Sequence, residues 1–254
     1  MNRDVWIQWQ INFVNSLKKQ SEKSGYSFDI LDSQLSKEFP RSRKIYIAGM
    51  KRSGNHAIIN WMIKNCFESQ VFINNASTPT PDLIEVFNAE ELHPRLVDRT
   101  VCSFEHLSFD FFSSSSTWYI ARDPYNWLAS WINHHHFDMD TIQKDVSTYI
   151  SNIEKSENLI LYNKWFSSQE YRNNIAHSLE FLNRDLGLDD ISKYGRGSSF
   201  DSRDKFEGKG SSMDVLNRWK NEIENDLYRN IIDENKDSFR DISNKIFEME
   251  CPLD

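Results

Sequence analysis

Short apolar runs alternate with stretches of helical spacing along the chain. The first run, Ile45-Tyr46-Ile47-Ala48, has no polar interruption, as a strand buried on both faces requires. Gly49 to His56 follow, with two glycines, and then Ala57, Ile58, Ile59, Trp61, Met62 and Ile63 recur at helical spacing. Further strands are predicted at Val71-Phe72-Ile73, Thr100 to Phe104, Thr117 to Ala121 and Leu159 to Tyr162. After the fourth strand Asp123 suits an N-cap and Pro124 a first helical residue, and Trp127, Leu128, Trp131 and Ile132 form an apolar face. A helix is expected over Tyr171 to Leu188, stopped by Gly187. A last helix, Ser212 to Tyr228, places Met213, Leu216, Trp219, Ile223 and Leu227 on one core-facing side. Strands each followed by a helix or loop predict an α/β fold: a three-layer α/β/α arrangement around a central, mainly parallel sheet of about five strands.

The connections divide the chain further. Trp6, Ile7, Ile11, Phe13, Val14 and Leu17 form an apolar stripe, and Ser24-Gly25 reads as its stop. Residues 1–40 are therefore expected to be an N-terminal helical appendage, packed on a single α/β domain spanning 41–254; a dimer contact or a lid on an acceptor site are sharper readings of the same stripe. Pro79 and Pro81 break regular structure between Ala76 and Pro81. Residues 82–98 read as acidic and irregular, with a short helix near Leu83 to Phe87, either shaping an acceptor pocket or forming a plain connection. Residues 195–212, rich in Gly, Ser and Lys, read as a long functional or mobile loop.

Composition narrows the class. At 254 residues, 39% apolar and 13% aromatic, the chain is globular and large enough for a sizeable core. A net charge of −8 argues against a nucleic-acid-binding face, so an anion site must be a local pocket. Cys66, Cys102 and Cys251 are widely spaced and odd in number, which predicts no disulfide framework, no zinc site and a reducing compartment. No run of eighteen apolar residues and no N-terminal apolar core of a leader is present, so no signal peptide, no membrane partner and a cytoplasmic location are expected.

The chemistry concentrates in Gly49 to His56. Strand, glycine-containing loop and helix make a P-loop-like phosphate cradle. The nucleoside-triphosphate motif G-x-x-x-x-G-K-[ST] is not completed, because Asn55 and His56 stand where the lysine and the magnesium-binding hydroxyl belong. Lys51 and Arg52 lie inside the loop instead, beside Ser53. Such a cradle suits a 5′-phosphate with no triphosphate tail and no metal. Arg122 at the end of the fourth strand and Ser130 on the following helix suit a second phosphate. Glu105-His106 follows the third strand, where α/β sheets place ligand-facing residues. His134-His135-His136 do not share a helix face and make a poor metal site.

Arg52-Ser53-Gly54 resembles the [KR]-S-G-T loop of the sulfotransferase family, and Arg122-Asp123-Pro124 with Ser130 resembles its 3′-phosphate site. Glu105-His106-Leu107 resembles the segment that carries the family's catalytic base. Leu161-Tyr162-Asn163 and Phe181-Leu182 resemble its Y-E-x-L … F-L-G-L stretch, with Asn163 in place of the usual acid. The resemblance covers roughly residues 44–230. It implies a sulfotransferase using 3′-phosphoadenosine 5′-phosphosulfate (PAPS), with no metal, acting on a small-molecule or glycan hydroxyl or amine. His106 would take the acceptor proton, with Glu105 the competing candidate, and Arg52 would neutralise the leaving 5′-phosphate. Lys51, Ser53, Gly54, Asn55 and His56 would complete the 5′ site. A late loop would close over the nucleotide, through Lys209 and Gly210 or Arg196-Gly197. A magnesium-dependent P-loop kinase and a non-catalytic adenine-nucleotide-binding module remain alternatives.

Overall fold

The computed structural model describes residues 3–89, 93–105, 107, 111, 117–134, 139–181, 187–189 and 210–250. The fold is α/β. Six strands among the described residues form one sheet of order β3-β2-β4-β1-β5-β6: β1 Arg43–Gly49, β2 Gln70–Asn74, β3 Leu83–Phe87, β4 Arg99–Glu105, β5 Thr117–Ala121 and β6 Asn158–Leu161. β1 and β2 run parallel to β4, and β3 runs antiparallel to β2. The sixth strand is β3, where a short helix was expected. Its Leu-Ile-Glu-Val-Phe run is rich in β-formers and pairs along its whole length with β2, from Gln70 opposite Phe87 to Asn74 opposite Leu83.

The chain divides into two compact units. Residues 1–49 and 66–118 form the first, and residues 50–65 and 119–254 the second.

In the first unit β1, β2 and β4 are buried almost end to end, which explains their uninterrupted apolar runs. Helices α1 (Arg3–Ser24) and α2 (Phe28–Glu38) join them. α1 ends at Gly25, whose φ of +76° turns the chain out of the helix. Ser27 then caps α2 by accepting from the Ile30 N–H. The buried stripe of α1 is Trp6, Trp9, Phe13 and Leu17; Ile7 and Ile11 face solvent. The large indoles therefore take the core side, Trp9 lying 4.9 Å from the Phe39 ring. Gln10 Nε2 donates to the carbonyl of Ile84 on edge strand β3. Asp32 of α2 accepts from Lys44 Nζ at 2.7 Å and from the Tyr46 hydroxyl, both on β1.

The second unit carries α3 (Asn55–Asn65), α4 (Pro124–His134), α5 (Met139–Lys155), α6 (Tyr162–Ser167), α7 (Gln169–Ser178), α8 (Asp226–Glu234) and α9 (Lys236–Ile242). Its core sets α4 against α5, with the Trp127 and Tyr149 rings stacked 4.2 Å apart. Two expected helices are cut short. α7 starts at Gln169, capped by Ser168, and ends at Ser178, where Glu180 takes a φ of +53°. Gly187 has a φ of +79° but is not the stop of that helix. The span 212–228 is not one helix. Short 3-10 turns, Gly210–Ser212 and Arg218–Asn221, precede α8, whose N-cap Asn225 accepts from the N–H groups of Leu227 and Tyr228. The apolar residues of this span recur at helical spacing, yet the Asn225 side chain starts a new helix there and sets the break.

Candidate phosphate-binding site

β1 runs straight into the loop at Met50. The Ser53 N–H donates to the Met50 carbonyl at 3.2 Å, which makes residues 50–53 a β-turn. Arg52 sits third in that turn with a φ of +72°, a position that normally takes glycine. A side chain held there costs roughly 1–2 kcal/mol. The surroundings supply the compensation. Trp127 Nε1 donates to the Lys51 carbonyl at 2.9 Å, and Arg122 Nη1 to the Arg52 carbonyl at 3.4 Å. Asn55 Nδ2 donates back to the Met50 carbonyl at 3.2 Å and closes the loop against the first turn of α3. The positions expected to replace the usual hydroxyls thus have a visible role at Asn55, while His56 is half-buried in the first helical turn.

Gly54 has a φ of +92°, and a Cβ there would meet the Tyr162 ring at 2.1 Å. The glycine leaves room for that ring. Tyr162, the first residue of α6, also carries the Arg122 guanidinium over its face, 5.2 Å from the ring centre.

Within this frame Ser53 stands out. It is fully buried, and its hydroxyl has no hydrogen-bond partner among the described residues. A buried hydroxyl in that state costs about 1–3 kcal/mol. Lys51 is exposed, and its ammonium makes no ion pair within 4.0 Å among the described residues. The Asp145 carboxylate on α5 senses it: burial pushes the Asp145 pKa up, while a 3.1 Å bond from Trp131 Nε1 and the charges of Lys51 and Lys144 draw it back.

Arg122 and Ser130 belong to the same face. Arg122 is buried, and besides the Arg52 carbonyl its Nη2 donates to the carbonyl of Val215. Tyr149 OH in turn donates to the Arg122 carbonyl at 2.5 Å. Four residues on, Asn126 Nδ2 donates to the Leu216 carbonyl at 2.9 Å, and its Oδ1 accepts from the Trp219 N–H. Four further on, Ser130 Oγ accepts from Arg218 Nη1 at 3.1 Å. Asp123 caps α4 through the Asn126 N–H at 2.9 Å and pairs reciprocally with the amide of Asn163. An acid at position 163 would put a second carboxylate against buried Asp123, which accounts for the asparagine.

The remaining expected residues divide simply. Glu105 ends β4, in register with Gly49, and is half-buried. Gly210 donates its N–H to the Asp189 carbonyl at 3.3 Å, and Ser211 Oγ donates to the Asp189 carboxylate at 2.7 Å. His134 ends α4. His106, Lys209, Arg196, Gly197, His135 and His136 lie outside the described residues. Sequence reasoning missed Asn126, Arg218 and the ring of Tyr162 against Gly54. The four-residue spacing of Arg122, Asn126 and Ser130 was the available signal for a shared polar face.

These donors suit a phosphate: one buried hydroxyl, one exposed ammonium and a turn held open by its neighbours. No cluster of three or more His, Cys, Asp or Glu that could hold a metal ion occurs among the described residues. No helix among them is long and apolar enough to cross a membrane. No family model matches the sequence, and no curated protein matches it. Among solved structures the chain is similar to the mouse sulfotransferase SULT7A1 complexed with PAP, with 13% identity, a TM-score of 0.39, and coverage of 79% of this chain and 92% of that one.

Proposed function

We propose that the chain is a sulfotransferase that moves a sulfuryl group from PAPS to a hydroxyl or amine of a small-molecule or glycan acceptor. The observation that carries this reading is the Ser53 hydroxyl, buried without a partner in a loop that has cations but no Lys-Ser/Thr pair. The donor, when bound, supplies an activated sulfuryl group on its 5′-phosphate. Ser53 and Lys51 would hold the 5′-phosphate oxygens, and Arg52 would neutralise charge as it develops there. Gly54, Asn55 and His56 would keep the loop and the first turn of α3 in shape around that phosphate. Arg122 and Ser130 mark the 3′-phosphate end, and Lys209 with Gly210 would cover the nucleotide. His106 would take the acceptor proton, with Glu105 beside it as the alternative base.

A thermal-shift titration tests the donor. Adenosine 3′,5′-bisphosphate should raise the Tm more than ATP does, with or without magnesium, since a ligand that binds only the native state stabilises by RT ln(1 + [L]/Kd). A larger, magnesium-dependent shift with ATP would replace this reading with the kinase one. Asn55, spent on closing the loop rather than facing an anion, favours one second reading: a nucleotide-binding module without turnover. Bisphosphate binding with no sulfuryl transfer to any of a panel of phenols, alcohols, amines and glycans would select it.

A further inference from the structure

β2 ends at Asn74, and the connection to β3 carries six polar side chains in the nine residues from Asn74 to Asp82. Its first turn is held by the rest of the unit. The Ala76 N–H donates to the Ser103 carbonyl at 2.7 Å, and the Tyr26 hydroxyl donates to the Ala76 carbonyl at 2.7 Å. Asn75 takes a φ of +51°, which asparagine tolerates better than most residues. The side chains then link into one network. Ser103 Oγ donates to Asn74 Oδ1 at 2.9 Å and accepts from the Asn75 N–H at 3.0 Å. Ser77 Oγ donates to Asn75 Oδ1, and Asn75 Nδ2 donates to Asp82 Oδ2 at 3.0 Å. Its two ends are unspent: Asn74 Nδ2 and Asp82 Oδ1 have no partner among the described residues. One end offers N–H donors and the other a charged acceptor. The network lies where α/β sheets place ligands, at the C-terminal ends of β2 and β4. Ser103 and Glu105 share one face of β4, about 7 Å apart along the strand, so the network sits close to the alternative base.

We propose that Asn74 and Asp82 bind adjacent hydroxyls of an uncharged sugar, so that the acceptor is a neutral glycan, with Ser103 and Asn75 as positioning residues that fix the two groups. The inference rests on the transfer reaction proposed above. Each sugar hydroxyl both donates and accepts, so a donor and an acceptor held in one frame match a pair of them. The Asp82 carboxylate repels an anionic acceptor such as a uronate or a phosphate ester. A phenol is disfavoured for another reason: its aryl body would cover amides and hydroxyls without pairing them, and sites built to hydrogen-bond reject analogues that cannot.

The test is an array of neutral oligosaccharides, uronate oligosaccharides and immobilised phenols, probed with the full chain in the presence of adenosine 3′,5′-bisphosphate. Neutral oligosaccharides should be retained and the other two classes not. Two nearly isosteric variants then check the residues, with the retained sugars titrated calorimetrically. Asp82→Asn keeps an oxygen for the Asn75 amide and removes the charge; Asn74→Asp keeps the Ser103 bond and removes the N–H donors. Each should lose about 10- to 100-fold in sugar affinity, the size of one charge-assisted hydrogen bond. Bisphosphate affinity and the unliganded Tm should stay near those of the parent chain. Retention of uronates or phenols in place of neutral sugars would overturn the inference. Sugar affinity unchanged in both variants would overturn it too, as would a loss that only follows a lowered Tm. Failure of the donor reading shows separately, as no Tm gain with adenosine 3′,5′-bisphosphate whatever the array retains, and it would remove the acceptor role.

Discussion

Two residues of the loop show opposite uses of the left-handed backbone region. Gly54 needs it and cannot accept a side chain, because the Tyr162 ring occupies the Cβ direction. Gly54→Ala should therefore destabilise the protein by about 2 kcal/mol or more, combining strain with overpacking. For a chain of this size that corresponds to a Tm loss of roughly 4–8 °C, measured by calorimetry. Arg52 occupies the same region without needing it for space, which is how strain gathers at functional sites. Arg52→Gly should leave the Tm unchanged or raise it, by up to about 1 kcal/mol of relieved strain, while weakening adenosine 3′,5′-bisphosphate. A clear fall in Tm with binding intact would show that the guanidinium serves the fold instead.

Elements whose burial pattern is uniform were legible in the chain; those decided by single polar side chains were not. β1, β4 and β5 are buried runs, and their apolar sequences announce them. β3 is half-buried throughout, so its pattern lacks alternation and its pairing with β2 decides its form. The break between 212 and 228 depends on Asn225, and the exposure of Ile7 and Ile11 on which side the α1 indoles take. In the candidate site, local motifs mark the loop and the Arg122/Ser130 pair but not the Arg218–Ser130 bond, whose partners lie 88 residues apart. The join of α2 to β1 is of the same single-side-chain kind and gives a pH test. Burial raises the Asp32 pKa, but the bonds from Lys44 and Tyr46 outweigh it and hold it below the ordinary carboxylate value. Its contribution is thus fully present above a pH of about 3.9, the unfolded value, and fades as pH falls through the lowered one. Asp32→Asn should lower the Tm at neutral pH, with the gap to the parent chain closing in acid. A gap independent of pH would locate the effect in packing rather than charge.

At the scale of the whole molecule, the four bonds from Arg122, Asn126 and Ser130 to residues 215–219 span 88 to 93 positions of sequence. Contacts so far apart are closed late, because a long loop must be ordered before any of them forms. On the ribosome this becomes an order of assembly. β1, the loop and α4 are all synthesised before residue 135, but the groups that hold their polar stripe emerge some eighty residues later. A nascent chain arrested just after residue 200 should leave the Arg122 guanidinium without the Val215 carbonyl and give no bisphosphate-dependent protection from protease. One arrested with residue 250 outside the tunnel should be protected. Nucleotide capture would then report synthesis past the 215–219 segment, and a chain arrested before it would not sequester the nucleotide.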